Sequence, residues 1–326
     1  MGYFSRFMYH CKEISLGYAC TEIRCLISRK FMLRRGKPVP LNPELAKERY
    51  LLPFFTSLFA DVVKQYQNVS SEPHPLSNAP IWVCWLQGEE LAPATVKQFI
   101  DNIRQKSNGH PVHVLDLKNY VKYITLPDFI ETKYRNNTIL PQHFTDIIRT
   151  VLLAEHGGLW IDATGLITRP IPNEAFDSAI YNVKDICPDF LHKNVVIDST
   201  KWMNYLLGGQ PGAVTYQFIR DCLFQYWKHY DDCIDYFLMF YIAKIGREQV
   251  PACKMEYNAV PTNNYLCEIL NDAMERDIPS TQTHANKYLN SNTWFYKLSW
   301  RTPYPLETPN HCPTLSHFIF KDVFRE

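Results

Sequence analysis

The sequence predicts an α/β protein, with a mostly parallel central sheet flanked by helices and a helical extension ahead of it. Three observations carry that prediction. From Ile81 onward, apolar runs of strand length alternate with segments of helical periodicity, the pattern of a parallel sheet with helices on its faces. The run Leu159-Trp160-Ile161 is unbroken and apolar between two glycines and an aspartate, as suits a strand buried on both faces. The 326 residues, 46% hydrophobic and 14% aromatic, hold ample core material for one large domain with an appendage or for two domains.

Residues 1–37 mix Phe, Tyr, Met, Leu and Ile with eight Lys or Arg against two Glu, a net of +6. The mixture suits one or two amphipathic basic helices, which either lie on an anionic membrane surface or pack on the domain. The proline-rich stretch from Gly36 to Glu44 is a break, a second helical pattern runs from Pro43 to Tyr66, and Ser70 to Pro80 reads as a linker. The chain is thereby divided into a basic helical extension, 1–78, and an α/β domain, 79–326.

Within that domain Ile81 to Trp85 is a strand, and Pro93 to Lys106 a helix with apolar residues at Val96, Phe99, Ile100 and Ile103. Val112 to Asp116 is the next strand. Pro141 to Gly158 is a helix with proline early and glycine at its end, the proper start and stop signals. Leu159 to Asp162 is the strand that follows. Ligands of such sheets sit beyond the carboxyl ends of the strands, and Asp162 lies at one such end. A carboxylate there is costly to desolvate unless something pairs with it. Asp162 is therefore expected to face a ligand crevice.

Charge and cysteine usage narrow the function. The rest of the chain holds 26 basic and 31 acidic residues, so the whole carries +1, with no polyelectrolyte signature for nucleic acid. No run approaches the ~20 apolar residues that cross a bilayer, and charges interrupt the N-terminus too often for a secretory signal. The ten cysteines are scattered, with no CxxC pair, so neither a disulfide framework nor a zinc site is indicated. A cytoplasmic protein is expected, peripheral on the inner face of the plasma membrane where residues 1–37 meet lipid.

Single pieces of the central motif are weak. Asp146 and Arg149 share a helix face, which alone is an ordinary surface ion pair worth a few tenths of a kcal/mol. The Gly157-Gly158 turn alone is a helix C-cap. Asp162-Ala163-Thr164-Gly165 alone is a turn. Together and in order they are specific. The stretch HFTDIIRTVLLAEHGGLWIDATGLITRPI resembles the core motif of bacterial capsular polysaccharide synthesis proteins, relatives of the family 32 sugar transferases. The resemblance extends upstream to IWVCWLQGEELAPATVKQFI and, more loosely, downstream to DYFLMFYI and WFYKLSWR, covering Ile81 to Arg301.

That resemblance implies a GT-A fold and transfer of a sugar from a nucleotide-diphosphate donor, a UDP-sugar foremost, to a saccharide or lipid-linked acceptor, with retention of anomeric configuration. Trp85 resembles the aromatic that stacks on the donor's base, with Gln87 in the same donor-binding segment. Asp146 and Arg149 resemble the pair that hydrogen-bonds the donor sugar, acceptor against fixed donors. Asp162 resembles the first acid of an Asp-x-Asp motif, which holds the ribose and a divalent cation, Mn²⁺ or Mg²⁺. Here the sequence departs from the wider pattern, because Thr164 stands where a second acid ligates the metal. A neutral hydroxyl is a poor ligand for a hard cation, so metal binding is weaker, uses another acid, or is dispensed with. Lys297 and Arg301 are placed to reach the diphosphate, with Trp294 and Trp300 shaping a lid or filling core. Asp235, in an apolar stretch read as helix, is the remaining acid to weigh as a catalytic group; a helix-surface residue is the plainer account. His311 and His317 are not expected to bind metal. A nucleotide-sugar-binding or scaffolding protein without effective turnover is the alternative, motivated by the missing acid. A metal-dependent phosphoester hydrolase would need more converging ligands than Asp162.

Overall fold

The computed structural model describes residues 2–35, 41–189, 198 and 201–324. The proline-rich break therefore lies partly outside the described residues, as does Lys37. The basic N-terminal segment forms two helices, α1 (Tyr3–Glu13) and α2 (Leu16–Arg34), and the next pattern resolves into α3 (Leu41–Leu58) and α4 (Ala60–Tyr66). These helices do not stand apart from the rest. Tyr18 of α2 and Leu51, Phe55 and Phe59 are fully buried and share one apolar core with the sheet.

The elements that follow are β1 (Ile81–Cys84), α5 (Ala94–Gln105), β2 (Val112–Leu115), α6 (Asp128–Arg135), α7 (Pro141–His156), β3 (Gly158–Ile161) and β4 (Gly165–Ile167). Then come α8 (Glu174–Asp177), β5 (Ile180–Asn182), β6 (Leu206–Gly209), α9 (Val214–His229), α10 (Leu238–Gln249), α11 (Pro251–Ala259), α12 (Ile269–Met274), α13 (Gln282–Leu289), β7 (Phe295–Lys297) and α14 (Leu315–Val323). The main sheet has the order β2-β1-β3-β6-β5. β1 pairs parallel with β2 and β3, while β6 runs antiparallel to both β3 and β5. Four of the five strands thus point one way, and the α/β expectation holds. All four residues of β3 are buried, as its unbroken apolar run requires.

Local sequence explains the elements that carry the site. α5 buries Val96, Phe99, Ile100 and Ile103, the predicted stripe. α7 opens on Pro141, whose missing N–H costs nothing at the first helical position, and buries Phe144, Ile147, Ile148, Val151 and Leu152. It stops at Gly157, φ 63°. A second sheet pairs β4 antiparallel with β7, setting Gly165 opposite Lys297. This small sheet fastens the turn after β3 to a strand more than a hundred residues later.

Candidate active site

β3 delivers Asp162 at its carboxyl end, where the backbone N–H of Asp162 donates to the Tyr205 carbonyl at 2.9 Å and Gly165 N–H closes a turn on the Asp162 carbonyl at 2.8 Å. Three side chains converge on the carboxylate. Trp160 Nε1–H donates to Oδ1 at 3.0 Å. Arg149 Nη2 lies 3.4 Å from the same oxygen, and Lys297 Nζ lies 3.3 Å from Oδ2. Burial opposes ionisation of Asp162, but Lys297 and Arg149 outweigh it, and the carboxyl stays below its usual range.

Arg149 is the hub. It is only 6% exposed, donates to the Asn204 carbonyl at 2.5 Å, reaches Asp146 Oδ1 at 3.4 Å and stacks 4.8 Å over the Trp160 ring. The plain account of Asp146 and Arg149 as a surface pair is corrected here. A guanidinium, with five donors in a fixed fork, can bind two carboxylates and a carbonyl at once.

Lys297 closes the other side. Its Nζ donates to Thr164 Oγ1 as well as pairing with Asp162. Its own backbone N–H donates to the Cys267 carbonyl at 2.8 Å, and Leu298 N–H donates to the Thr164 carbonyl at 3.0 Å. The sequence places Lys297 near a diphosphate; the structure brings it onto both polar residues of the Asp-x-Thr turn.

A cavity of about 860 Å³ opens beside this network, within the size range of small-molecule sites. Its wall includes Thr164, Lys297, Trp300 and Arg301, and also Arg6, Glu22 and Arg29 from α1 and α2, with Lys47 from α3. The charged lining comprises five cations (Arg6, Arg29, Lys47, Lys297, Arg301) and three carboxyls (Glu22, Asp235, Glu268). That balance favours an anionic ligand. Asp146, Arg149 and Asp162 stand behind the wall, not on it.

The remaining predicted residues divide. Arg301 is exposed, its guanidinium over the ring of neighbouring Trp300 at 4.9 Å. Trp85 is half-buried and meets Trp300 edge-on at 5.8 Å between centroids, and Trp300 is 40% exposed. Trp294 is core. Gln87 is exposed and not part of the cavity wall.

Asp235 requires a correction, because α10 begins only at Leu238. The carboxylate lies ahead of it, 4% exposed, and accepts the Phe237 N–H at 2.9 Å while pairing with Lys47 at 3.1 Å. It fastens α3 to the start of α10 and is neither mid-helix nor a helix-surface residue.

The sequence reading also misses Lys47 and Glu268. Glu268 stands next to Cys267, whose carbonyl holds the Lys297 backbone. Burial pushes its carboxyl up to about 7, against the Tyr205 hydroxyl and Lys297. A charge between Leu266, Cys267, Ile269 and Leu270 was the signal to follow, the same that singled out Asp235.

A divalent cation held by this motif would need Asp162 and Thr164. Oxygens of both already face the Lys297 ammonium. Among the described residues no group of three or more His, Cys, Asp or Glu is close enough to hold a metal ion. The donor set does not fit a resident metal.

Comparison with known proteins follows the same direction as the motif. A family model described as capsular polysaccharide synthesis protein matches residues 41–312. The chain is 28% identical over 124 residues to O-glycosyltransferase braB of Annulohypoxylon truncatum, a match covering 35% of this chain and 27% of that relative. The chain thus spans about a quarter of the length of the curated relative it matches. The solved PaToxG glycosyltransferase aligns over 73% of this chain and 90% of its own at 14% identity, with a TM-score of 0.36, too distant to transfer an activity.

Proposed function

The chain belongs to the capsular polysaccharide synthesis protein family, and from that premise we propose that it is a glycosyltransferase using a nucleotide-diphosphate sugar. The observation that supports this reading is the Asp146–Arg149–Asp162–Lys297 network at the carboxyl end of β3, backing a cavity rich in cations. In the proposed reaction the anomeric C–O bond to the diphosphate breaks and its electron pair leaves on the diphosphate. The acceptor hydroxyl oxygen bonds the anomeric carbon, and its proton passes to solvent. Lys297 and Arg301 offset the charge that develops on the leaving group. Asp146, paired with Arg149 behind the wall, holds the guanidinium that steadies Asp162. The donor proposed is a UDP-sugar, with retention at the anomeric carbon, and the acceptor a lipid-linked or growing saccharide.

Asp162→Asn tests the reading. The substitution keeps the shape and removes the charge that Lys297 and Arg149 pair with. Wild-type protein should melt higher with one class among UDP-, GDP- and CMP-sugars, since a ligand that binds only the folded state stabilises it. The variant should lose that shift, and release of nucleotide diphosphate in the presence of acceptor should fall roughly 100-fold or more, the scale of a lost transition-state contact. Unchanged turnover in the variant would remove Asp162 from the site.

We further propose that α1 and α2 rest on anionic lipid. Tyr3, Phe4, Met8, Leu16, Ile27 and Phe31 are exposed on these helices, interleaved with exposed Arg24, Lys30 and Arg34, and such a mixture suits a headgroup interface. Among the described residues no helix is long and apolar enough to span a membrane. Because Tyr18 is in the core, deleting the segment would disturb the fold, and charge neutralisation is the cleaner test. Arg24→Gln, Lys30→Gln and Arg34→Gln together should weaken co-sedimentation with phosphatidylserine vesicles by roughly 100-fold, at about 1 kcal/mol per cation. Equal sedimentation of the triple variant would count against the surface.

A further inference from the structure

We infer that the Lys297 ammonium takes the position and the electrostatic task of a divalent cation in this site. The inference deepens the donor-site reading and rests on it. A motif of one carboxylate and one hydroxyl is a weak cage for a hard cation, which prefers several anionic oxygens. In this chain both groups are already engaged by one ammonium. Asp162 Oδ2 is 3.3 Å from Lys297 Nζ, and Thr164 Oγ1 accepts a hydrogen bond from the same nitrogen. An ion bound to these two oxygens would sit against the ammonium, and like charges a few ångströms apart repel strongly where water is scarce.

Lys297 is built in, not draped over the motif. It ends β7, its backbone N–H is held by Cys267, and the next residue's N–H is held by Thr164 itself. Its side chain is only 25% exposed. The register that sets Gly165 opposite Lys297 fixes the ammonium over the Asp-x-Thr turn. An ammonium carries three donors; Asp162 and Thr164 occupy two, and Lys297 lines the cavity, which leaves one donor for a diphosphate oxygen. Thr164 is then no degraded ligand. A second aspartate there would add another negative charge against Lys297 and oppose an incoming diphosphate, whereas a hydroxyl orients the ammonium without adding charge.

The test is calorimetric titration of the full chain with UDP, GDP and CDP, after EDTA treatment and again with MnCl₂. The diphosphate that binds should do so with affinities differing by less than about threefold between the two conditions, or about 0.7 kcal/mol. Lys297→Met should weaken that binding in EDTA by roughly 10- to 100-fold, the range for losing a charged hydrogen bond, and Lys297→Arg should keep most of it. Binding that requires MnCl₂ in the wild type overturns the inference and leaves the donor site standing. So does Lys297→Met binding as tightly as wild type in EDTA. Absence of any diphosphate binding in either condition overturns both readings. If Lys297→Met does not fold, the wild-type comparison decides alone.

Discussion

Arg149→Ala is expected to abolish transfer and to destabilise the protein by about 3–5 kcal/mol, the cost of removing one partner from a buried ionic cluster. Arg149 is 6% exposed and is shared by Asp146, Asp162 and the Asn204 carbonyl. Among the described residues its loss leaves His143, at 3.9 Å, as the ion-pair partner of Asp146, and Lys297 as that of Asp162. It also empties the face of Trp160, over which the guanidinium stacks. Denaturant unfolding reads the first effect, nucleotide diphosphate release the second. Arg149→Lys separates them: a lysine restores one charge but cannot bridge two carboxylates and a carbonyl, so stability should recover more than turnover. An Arg149→Ala protein with wild-type unfolding midpoint and slope would show that the cluster is not what holds this end of the sheet.

The stability contributed by that cluster grows as pH rises from the acid range. Asp162 has its carboxyl held below the usual range once burial is outweighed by Lys297 and Arg149. A group with a depressed folded value contributes stability above its unfolded value, and that stability is lost as pH falls through the folded one. Glu268 has the opposite sign. Its carboxyl is raised to about 7, so its contribution is present below the ordinary carboxylate range and fades as pH rises toward neutrality. The two carboxyls flank Lys297 with opposite tendencies, the one beside Thr164 ionised and the one beside Cys267 half-protonated near neutral pH.

What the sequence disclosed and what it concealed have physical reasons. α5, α7, β1, β2 and β3 were legible because their apolar periods are local and strong, and because Pro141 and Gly157 punctuate α7 in the way helix termini require. Asp162 was legible because a charge that ends an unbroken apolar strand must be paired or face a ligand to repay its desolvation. Asp235 misled for an equally local reason. The apolar run after it has helical spacing, but its carboxylate accepts the Phe237 N–H at 2.9 Å, and an aspartate that bonds the backbone two residues on competes with helix. The Lys297–Thr164 contact spans 133 residues and depends on the β4–β7 register. No local period encodes such a pairing, so the sequence could place Lys297 near the ligand but could not say what it does there. The contribution of α1–α3 to the cavity wall was hidden for the same reason.

Gly158→Ala should prevent folding. The sequence invites a modest view of the glycine pair as a helix cap, but Gly157, at φ 63° and ψ −151°, lies outside the left-handed helical cap, and a β-carbon there would lie 2.7 Å from the Gly209 carbonyl oxygen. Gly158 is tighter still. It adopts φ 92°, and a β-carbon added there would lie 2.2 Å from the Pro80 carbonyl oxygen, well inside contact distance. The backbone conformation alone costs an alanine about 1–2 kcal/mol. The clash cannot be relieved cheaply, because that same carbonyl accepts the Leu159 N–H at 2.8 Å and begins the register that sets Ile81 opposite Leu159. Moving Pro80 away breaks the parallel pairing of β1 with β3, and moving β3 displaces Asp162 four residues on. A loss above ~4 kcal/mol, the range reserved for strain and core disruption, should appear as insoluble protein or a collapsed melting transition. Soluble Gly158→Ala protein with wild-type melting would refute the close approach. If the variant can be rescued at low temperature, it should still lose turnover by roughly 100-fold, the penalty for misplacing a reactive group by about 1 Å. The glycine then belongs to the site as much as to the helix end, since it is the absence of a side chain that lets β3 lie close enough to β1 to aim Asp162 between Arg149 and Lys297.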